Sequence, residues 1–184
     1  MRLLALSLGV LVVAVPASAA VVDPQALVLR QGDVPSRFTV DPRESRVTSN
    51  EFHSRHGLGK LVARTGRVTG YRRVFRVGDS RVNVIQSGVD VFRDPAGPRI
   101  MLARDDAEIR RINRKVGVIN AYGREKAGLG SASWVYWSGY PGYYVFVVWC
   151  QGRLQGWINS WDVGREGTLK LARIQQRRMA AALR

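Results

Sequence analysis

The chain has 184 residues, 29 of them basic and 14 acidic, for a formal charge of +15. Its length allows one ordinary domain with a proper core, not several. The lone cysteine excludes an internal disulfide framework, and no stretch beyond the first residues is apolar enough to be a membrane-span candidate.

Met1-Arg2, the apolar run Leu3 to Val15, Pro16 and Ala17-Ser18-Ala19 are the three parts of a secretory signal peptide. Cleavage is expected after Ala19, which leaves residues 20–184 as a single α+β domain outside the cytoplasm. The apolar run is short for a bilayer, and no cysteine near the cleavage site offers a lipid anchor. Of the 29 basic residues 25 are Arg, a bias that GC-rich coding produces. The net charge itself predicts weak, salt-sensitive binding to polyanions.

From Val21 to Val40 the pattern suggests a short helix or turn near Ala26-Leu27-Val28-Leu29, then an extended Pro-containing segment. The run Gln31-Gly32-Asp33-Val34-Pro35-Ser36-Arg37-Phe38 resembles the Leu-x-x-x-Asp-Leu-Pro-x-x-Phe opening of many secreted bacterial proteins. Some of those are similar in layout to the extracellular sensor domains of bacterial Ser/Thr kinases. Asp33, Pro35 and Phe38 match; Val34 replaces the Leu, and Arg37 stands where Gly is common. The resemblance implies an antiparallel sheet with helices and transfers no functional residue.

Asp41 to Thr69 is charged, Gly-rich and poorly periodic. A short helix capped by Thr48 or Ser49 should run from Asn50 toward His56 and break at Gly57 and Gly59. This segment is expected to cover the aromatic sheet described below. His53 and His56 lack the acid of an H-E-x-x-H motif and have Arg55 beside them, so no metal and no cofactor is expected. Gly59-Lys60 fails as a phosphate loop, because Ser54 replaces its first Gly and Leu61 its Ser or Thr.

Tyr71 to Val77 and Arg81 to Phe92 read as strands about the turn Gly78-Asp79-Ser80, with a bulge at Ser87-Gly88. Arg72, Arg73 and Arg76 beside Tyr71 and Phe75 match no nucleic-acid-binding module. They are expected to face water on an edge, with no specific nucleic-acid partner. A helix follows from about Pro98 to Lys115, its inner stripe Leu102, Ile109, Ile112 and Val116. Asp105, Asp106 and Glu108 fall on its expected solvated face.

Trp134 to Trp161 holds all five tryptophans and four of the six tyrosines. It reads as three strands joined by turns at Gly139-Tyr140-Pro141-Gly142 and Gln151-Gly152. Simple hairpins would oppose Trp137 to Tyr144, Phe146 to Trp157, and Tyr144 to Asn159. One face then collects Trp134, Tyr136, Val145, Val147, Trp149, Leu154 and Ile158 as core. The other collects Trp137, Tyr144, Phe146, Val148, Cys150, Gln155, Trp157 and Asn159. On that face Trp137, Tyr144 and Trp157 could stack a ligand, and Gln155 and Asn159 could hydrogen-bond it. The same residues would equally serve as core beneath another segment, or as contact with a second copy or an envelope partner. A last helix spans about Thr168 to Leu183, with Leu169, Ala172, Met179 and Leu183 on one side.

Chemistry is sparse. Cys150 in an apolar strand is most simply a small buried hydrophobe, no G-x-S-x-G is present, and no pair of acids stands out. The expectation is a two-layer α+β sandwich: a mostly antiparallel sheet of two hairpin units with two main helices. Its expected function is that of an exported, non-catalytic sensor or binding module at the cell envelope. The alternative is a structural or interaction protein, homodimeric through the same aromatic face.

Overall fold

Two antiparallel meanders, each followed by one long helix, join edge to edge in a computed structural model that describes residues 22–115, 122–138 and 144–184. The expected leader and the turn Gly139–Gly142 lie outside the described residues. The first meander is β1 (Thr39–Val47), β2 (Arg67–Arg76) and β3 (Val84–Phe92). The second is β4 (Tyr122–Glu125), β5 (Ala132–Ser138), β6 (Tyr144–Gln151) and β7 (Leu154–Trp161). They form one seven-stranded sheet in the order β1-β2-β3-β7-β6-β5-β4. The α+β sandwich with an antiparallel sheet read from the sequence is formed, but with helices on both faces of the sheet in place of the expected two layers.

The main helices are α4 (Ala96–Lys115) and α5 (Gly164–Ala181). Asp94 starts α4, its Oδ1 accepting from the Ala96 amide at 2.8 Å. The two helices take opposite faces, so the sheet is the middle layer. Beneath α5, Val135, Val145, Val147, Trp149, Leu154 and Ile158 pack with Leu169, Ala172 and Met179. Beneath α4, Leu102 packs with Tyr136, Val148 and Cys150, flanked by Trp134, Phe146 and Trp157.

The opening segment docks on the α5 side. Short α1 (Pro24–Leu27) buries Leu27, and Phe38 is fully buried. Asp33 accepts from the Arg30 amide at 2.5 Å and from both terminal nitrogens of Arg178 on α5, at 2.6 and 2.8 Å. Two of the three matching residues of the opening motif therefore hold it in place.

Asp41 to Thr69 is more ordered than its composition suggests. After β1 it forms α2 (Asn50–His53), a π-helical turn over Ser54–Leu58, and α3 (Gly59–Thr65). Gly57, at φ +77°, sits within the wide turn, so the chain is re-aimed and helix resumes. β1 also pairs along β2, so β2 is not an edge. Its arginines are correspondingly tied down: Arg73 donates to Leu29 O at 2.7 Å, and Arg76 bonds Asp41 at 2.8 Å and Glu44. They form no continuous stacking platform, and Arg73 points to the opposite face from Arg72 and Arg76.

The register of the aromatic ribbon departs from the simple hairpins. Ser138 pairs with Tyr144 and Trp137 with Val145, leaving five residues between the strands. That is one more residue than a symmetric closure about the Pro-Gly turn, and one residue reverses every side chain of β5. Trp134 and Tyr136 thus face α4, while Val135 and Trp137 face α5. The β6–β7 turn is Gly152-Arg153, with Gln151 opposite Leu154. It shifts the pairing by two residues: Phe146 meets Asn159, and Tyr144 meets Trp161. A two-residue shift preserves the faces of β7.

Gly156 on β7 lets large groups meet across the α5 face. A Cβ there would stand 2.4 Å from Trp149 Cζ2 and 2.7 Å from Met179 Sδ, both buried. Gly156→Ala should therefore cost about 1–3 kcal/mol through overpacking. Urea unfolding should show a lower midpoint at unchanged m; an unaltered midpoint would contradict this packing.

Candidate functional site

The α4 face of the sheet is only partly covered. Between α4, the α2–α3 segment and the strands lies a cleft of about 340 Å³. Its floor is Asp90 of β3, Tyr144 and Phe146 of β6, and Gln155 and Trp157 of β7. One wall is a single face of α4, bearing Met101, Arg104, Asp105, Glu108 and Ile109. Thr48, His53 and Leu58 form the other, so the segment expected to cover the aromatic face does border it.

Gly88 of β3 gives the floor its shape. It pairs with Trp157, and a Cβ at that position would lie 2.1 Å from the indole. The missing side chain leaves room for the indole against β3. Tyr144 packs edge-on against Trp161, with ring centroids 5.0 Å apart.

Three residues read from the sequence as a ligand platform, Tyr144, Gln155 and Trp157, meet in this cleft. Asn159 lies on the same face, opposite Phe146, outside the lining. Its Oδ1 is buried without a hydrogen-bond partner among the described residues. Trp137 is a correction: the reversed β5 puts it on the α5 face, under the Arg165 guanidinium at 5.0 Å. Its indole also covers Gly123 of β4.

The charged groups were not foreseen as part of the site. Asp105 and Asp106, expected in solvent, both turn toward the sheet. Asp105 accepts from Gln155 Nε2 at 3.0 Å and from Arg104 at 3.2 Å. Burial, reinforced by the charge of Asp90, outweighs both bonds and pushes its carboxyl up to about 6. Asp106 goes the other way. Burial would raise it, but bonds from Tyr136 OH at 2.7 Å and from Arg124 at 2.7 and 3.0 Å hold it below the usual carboxylate range. Arg124 also stacks on Trp134, 3.4 Å from the ring centroid. Adjacent acids on one helix thus have opposite characters. Asp106 fastens α4 to β4 and β5, whereas Asp105 faces the cleft.

At the far end of the floor, Arg67 is wholly enclosed. It bonds Asp90 through Nε at 2.9 Å and Nη2 at 2.5 Å, Asn50 Oδ1 at 2.9 Å, and both oxygens of Thr48 at 2.8 and 2.7 Å. This cluster ties β2 and β3 to the start of α2 and fixes Asp90 in the cleft lining.

Cys150 is buried beneath α4, and burial first of all pushes its thiol up to about 11. It is therefore a neutral, enclosed sulfhydryl rather than a thiolate. A second depression, lined by Lys126 and Gly128 to Trp134, is mostly backbone and small side chains. A third, between β4 and the start of α5, is a wide groove of Lys126, Arg165, Lys170 and Arg173 without aromatic groups. Only the α4 cleft, among these, joins aromatic faces to converging polar groups. Among the described residues no helix is long and apolar enough to cross a membrane.

No family model matches the chain, and no curated protein matches it. Among solved structures it is similar to the extracellular domain of PknH from Mycobacterium tuberculosis. The two are 12% identical with a TM-score of 0.53, over 90% of this chain and 98% of that one. At that identity the likeness is one of fold.

Proposed function

We propose that this chain is an exported, non-catalytic sensor or binding module of the bacterial cell envelope, and that the α4 cleft takes a small molecule. The observation that carries this is the cleft itself. Three aromatic residues and a buried amide converge under a helix in a volume suited to a compact ligand. The leader-like start of the chain supports export. So does a fold shared with a domain that works outside a cell. Within the cleft, Trp157 and Tyr144 are the stacking surfaces and Gln155 the hydrogen-bonding group, with Asn159 beside them; Trp137 has no part in it.

Self-association through the aromatic face finds less support. Among the described residues the exposed large hydrophobics are Val47, Val68, Val82, Ile112 and Leu183, none of them aromatic. Helix α4 and the α2–α3 segment already occupy much of the face that a second copy would need.

A chemically broad ligand library, read by thermal shift and tryptophan fluorescence, tests the cleft. Ligands that bind should lose roughly two- to tenfold in affinity in Trp157→Leu, since aromatic stacking contributes about 0.5–1.5 kcal/mol. Trp137→Phe, on the other face, should leave them unaffected. Equal losses in both variants, or no ligand at all, would remove the cleft as the binding site.

A further inference from the structure

Resting on the cleft as the binding site, we propose that its ligand is an organic cation: a substituted ammonium group carried on an apolar body. Three aromatic residues, Tyr144, Phe146 and Trp157, floor a cleft whose α4 wall carries Asp105 and Glu108 one helical turn apart. Aromatic faces beside carboxylates are the surroundings in which a weakly hydrated cation is held, by ring quadrupole and by charge together. The apolar share of the ligand would rest on Met101, Ile109 and Leu58, which complete the walls.

The charge balance favours the same sign. Three carboxylates line the cleft, Asp90, Asp105 and Glu108, against one guanidinium, Arg104. Asp90 is matched by Arg67, and Glu108 bonds Arg111 outside the cleft. Asp105 is the under-compensated one. Its bonds from Arg104 and Gln155 do not offset burial and the nearby Asp90, so a cation entering the cleft would supply what its ionised form lacks.

Binding of such a ligand should therefore weaken as Asp105 takes up a proton. The groups around it are Asp90 from β3, Gln155 from β7, Cys150 from β6, His53 from α2, and Arg104 and Glu108 from its own helix. His53 borders the cleft as well, so the pH response has to be read against an Asp105 variant.

The test compares benzyltrimethylammonium, its neutral isostere neopentylbenzene, and the anion benzylsulfonate. Isothermal titration at about 0.15 M salt, where long-range fields are screened, follows each with the intact chain and with Asp105→Asn. The cation should bind at least about tenfold more tightly than the neutral isostere at pH 7.5. That preference should shrink several-fold at pH 5 and in Asp105→Asn at either pH, with neopentylbenzene unaffected. Equal affinity for cation and isostere overturns the proposal and leaves the cleft standing as an apolar site. Tighter binding of benzylsulfonate, abolished in Trp157→Leu, also overturns it and makes Arg104 the recognition group. Failure of all three probes to bind overturns the proposal, and the broad library then decides whether the cleft binds anything.

Discussion

Asp105→Asn should make the protein more stable at pH 7.5 and leave its stability unchanged near pH 3. The folded chain holds this carboxyl at about 6, above its ordinary value of 3.8. Below both values it is protonated whether the chain is folded or not, and it contributes nothing. Between them the folded state binds the extra proton, so stability falls as pH rises through that window and stays reduced above it. A shift of about two units corresponds to about 3 kcal/mol at most. Asn keeps an oxygen for the Gln155 bond but loses the charged pair with Arg104, which leaves a gain of about 1–2 kcal/mol. For a chain of this size each kcal/mol raises Tm by roughly 2–4 °C. Thermal unfolding from pH 3 to 8 would show the two curves parting between pH 4 and 6. A variant no more stable than the parent at pH 7.5, or one whose gain persists at pH 3, would show that Asp105 is not held in this strained ionisation. An acid that weakens the fold where it lines a cleft is what a binding role would retain.

The opposite outcome is expected at Arg67. Arg67→Met should destabilise the chain by about 3–5 kcal/mol, because it strands Asp90 beside the sheet without its partner. Asn50 and Thr48 lose their donors in the same step, so the start of α2 is released as well. The size of the effect comes from the stranded charge rather than from the bond count, which the double variant shows. Arg67→Met with Asp90→Leu removes both charges and should recover most of the loss. Chemical unfolding of the two single variants and the double supplies the cycle. A loss under 1 kcal/mol in Arg67→Met would mean that water reaches the pair and that it is not the enclosed cluster described above.

What the sequence conveyed of this molecule follows from how local each feature is. The runs Tyr143 to Cys150 and Arg81 to Phe92, and the helices before and after the aromatic ribbon, announce themselves by composition and period. β1 does not, because Thr39 to Val47 is nowhere fully buried and carries Asp, Glu and two Arg on its half-wet surface. The four-residue β4 offers too short a pattern to read. The orientation of β5 depends on the length of its connection to β6, and one residue there moved Trp137 away from Trp157. Asp106 was legible after all: it lies four residues after Leu102 and three before Ile109, on the inner stripe itself. A charged residue at a stripe position is a signal that a partner waits across the interface, here Tyr136 and Arg124. Asp105 carried no comparable sign, since its setting is made by Asp90 and Gln155, strands away in the chain.

The join between β3 and β7 bears on how the protein comes into being. Strands within each meander are near neighbours in sequence and can zip early, whereas β3 and β7 must close the long loop that contains α4 and the strands between. Asp90 opposite Gln155, and Gly88 opposite Trp157, straddle that join. Four of the five floor residues belong to the second half, and the floor is completed by Asp90 only when the halves dock. A bound guest would act as a clasp across the seam, slowing the parting of the halves rather than hastening the folding of either.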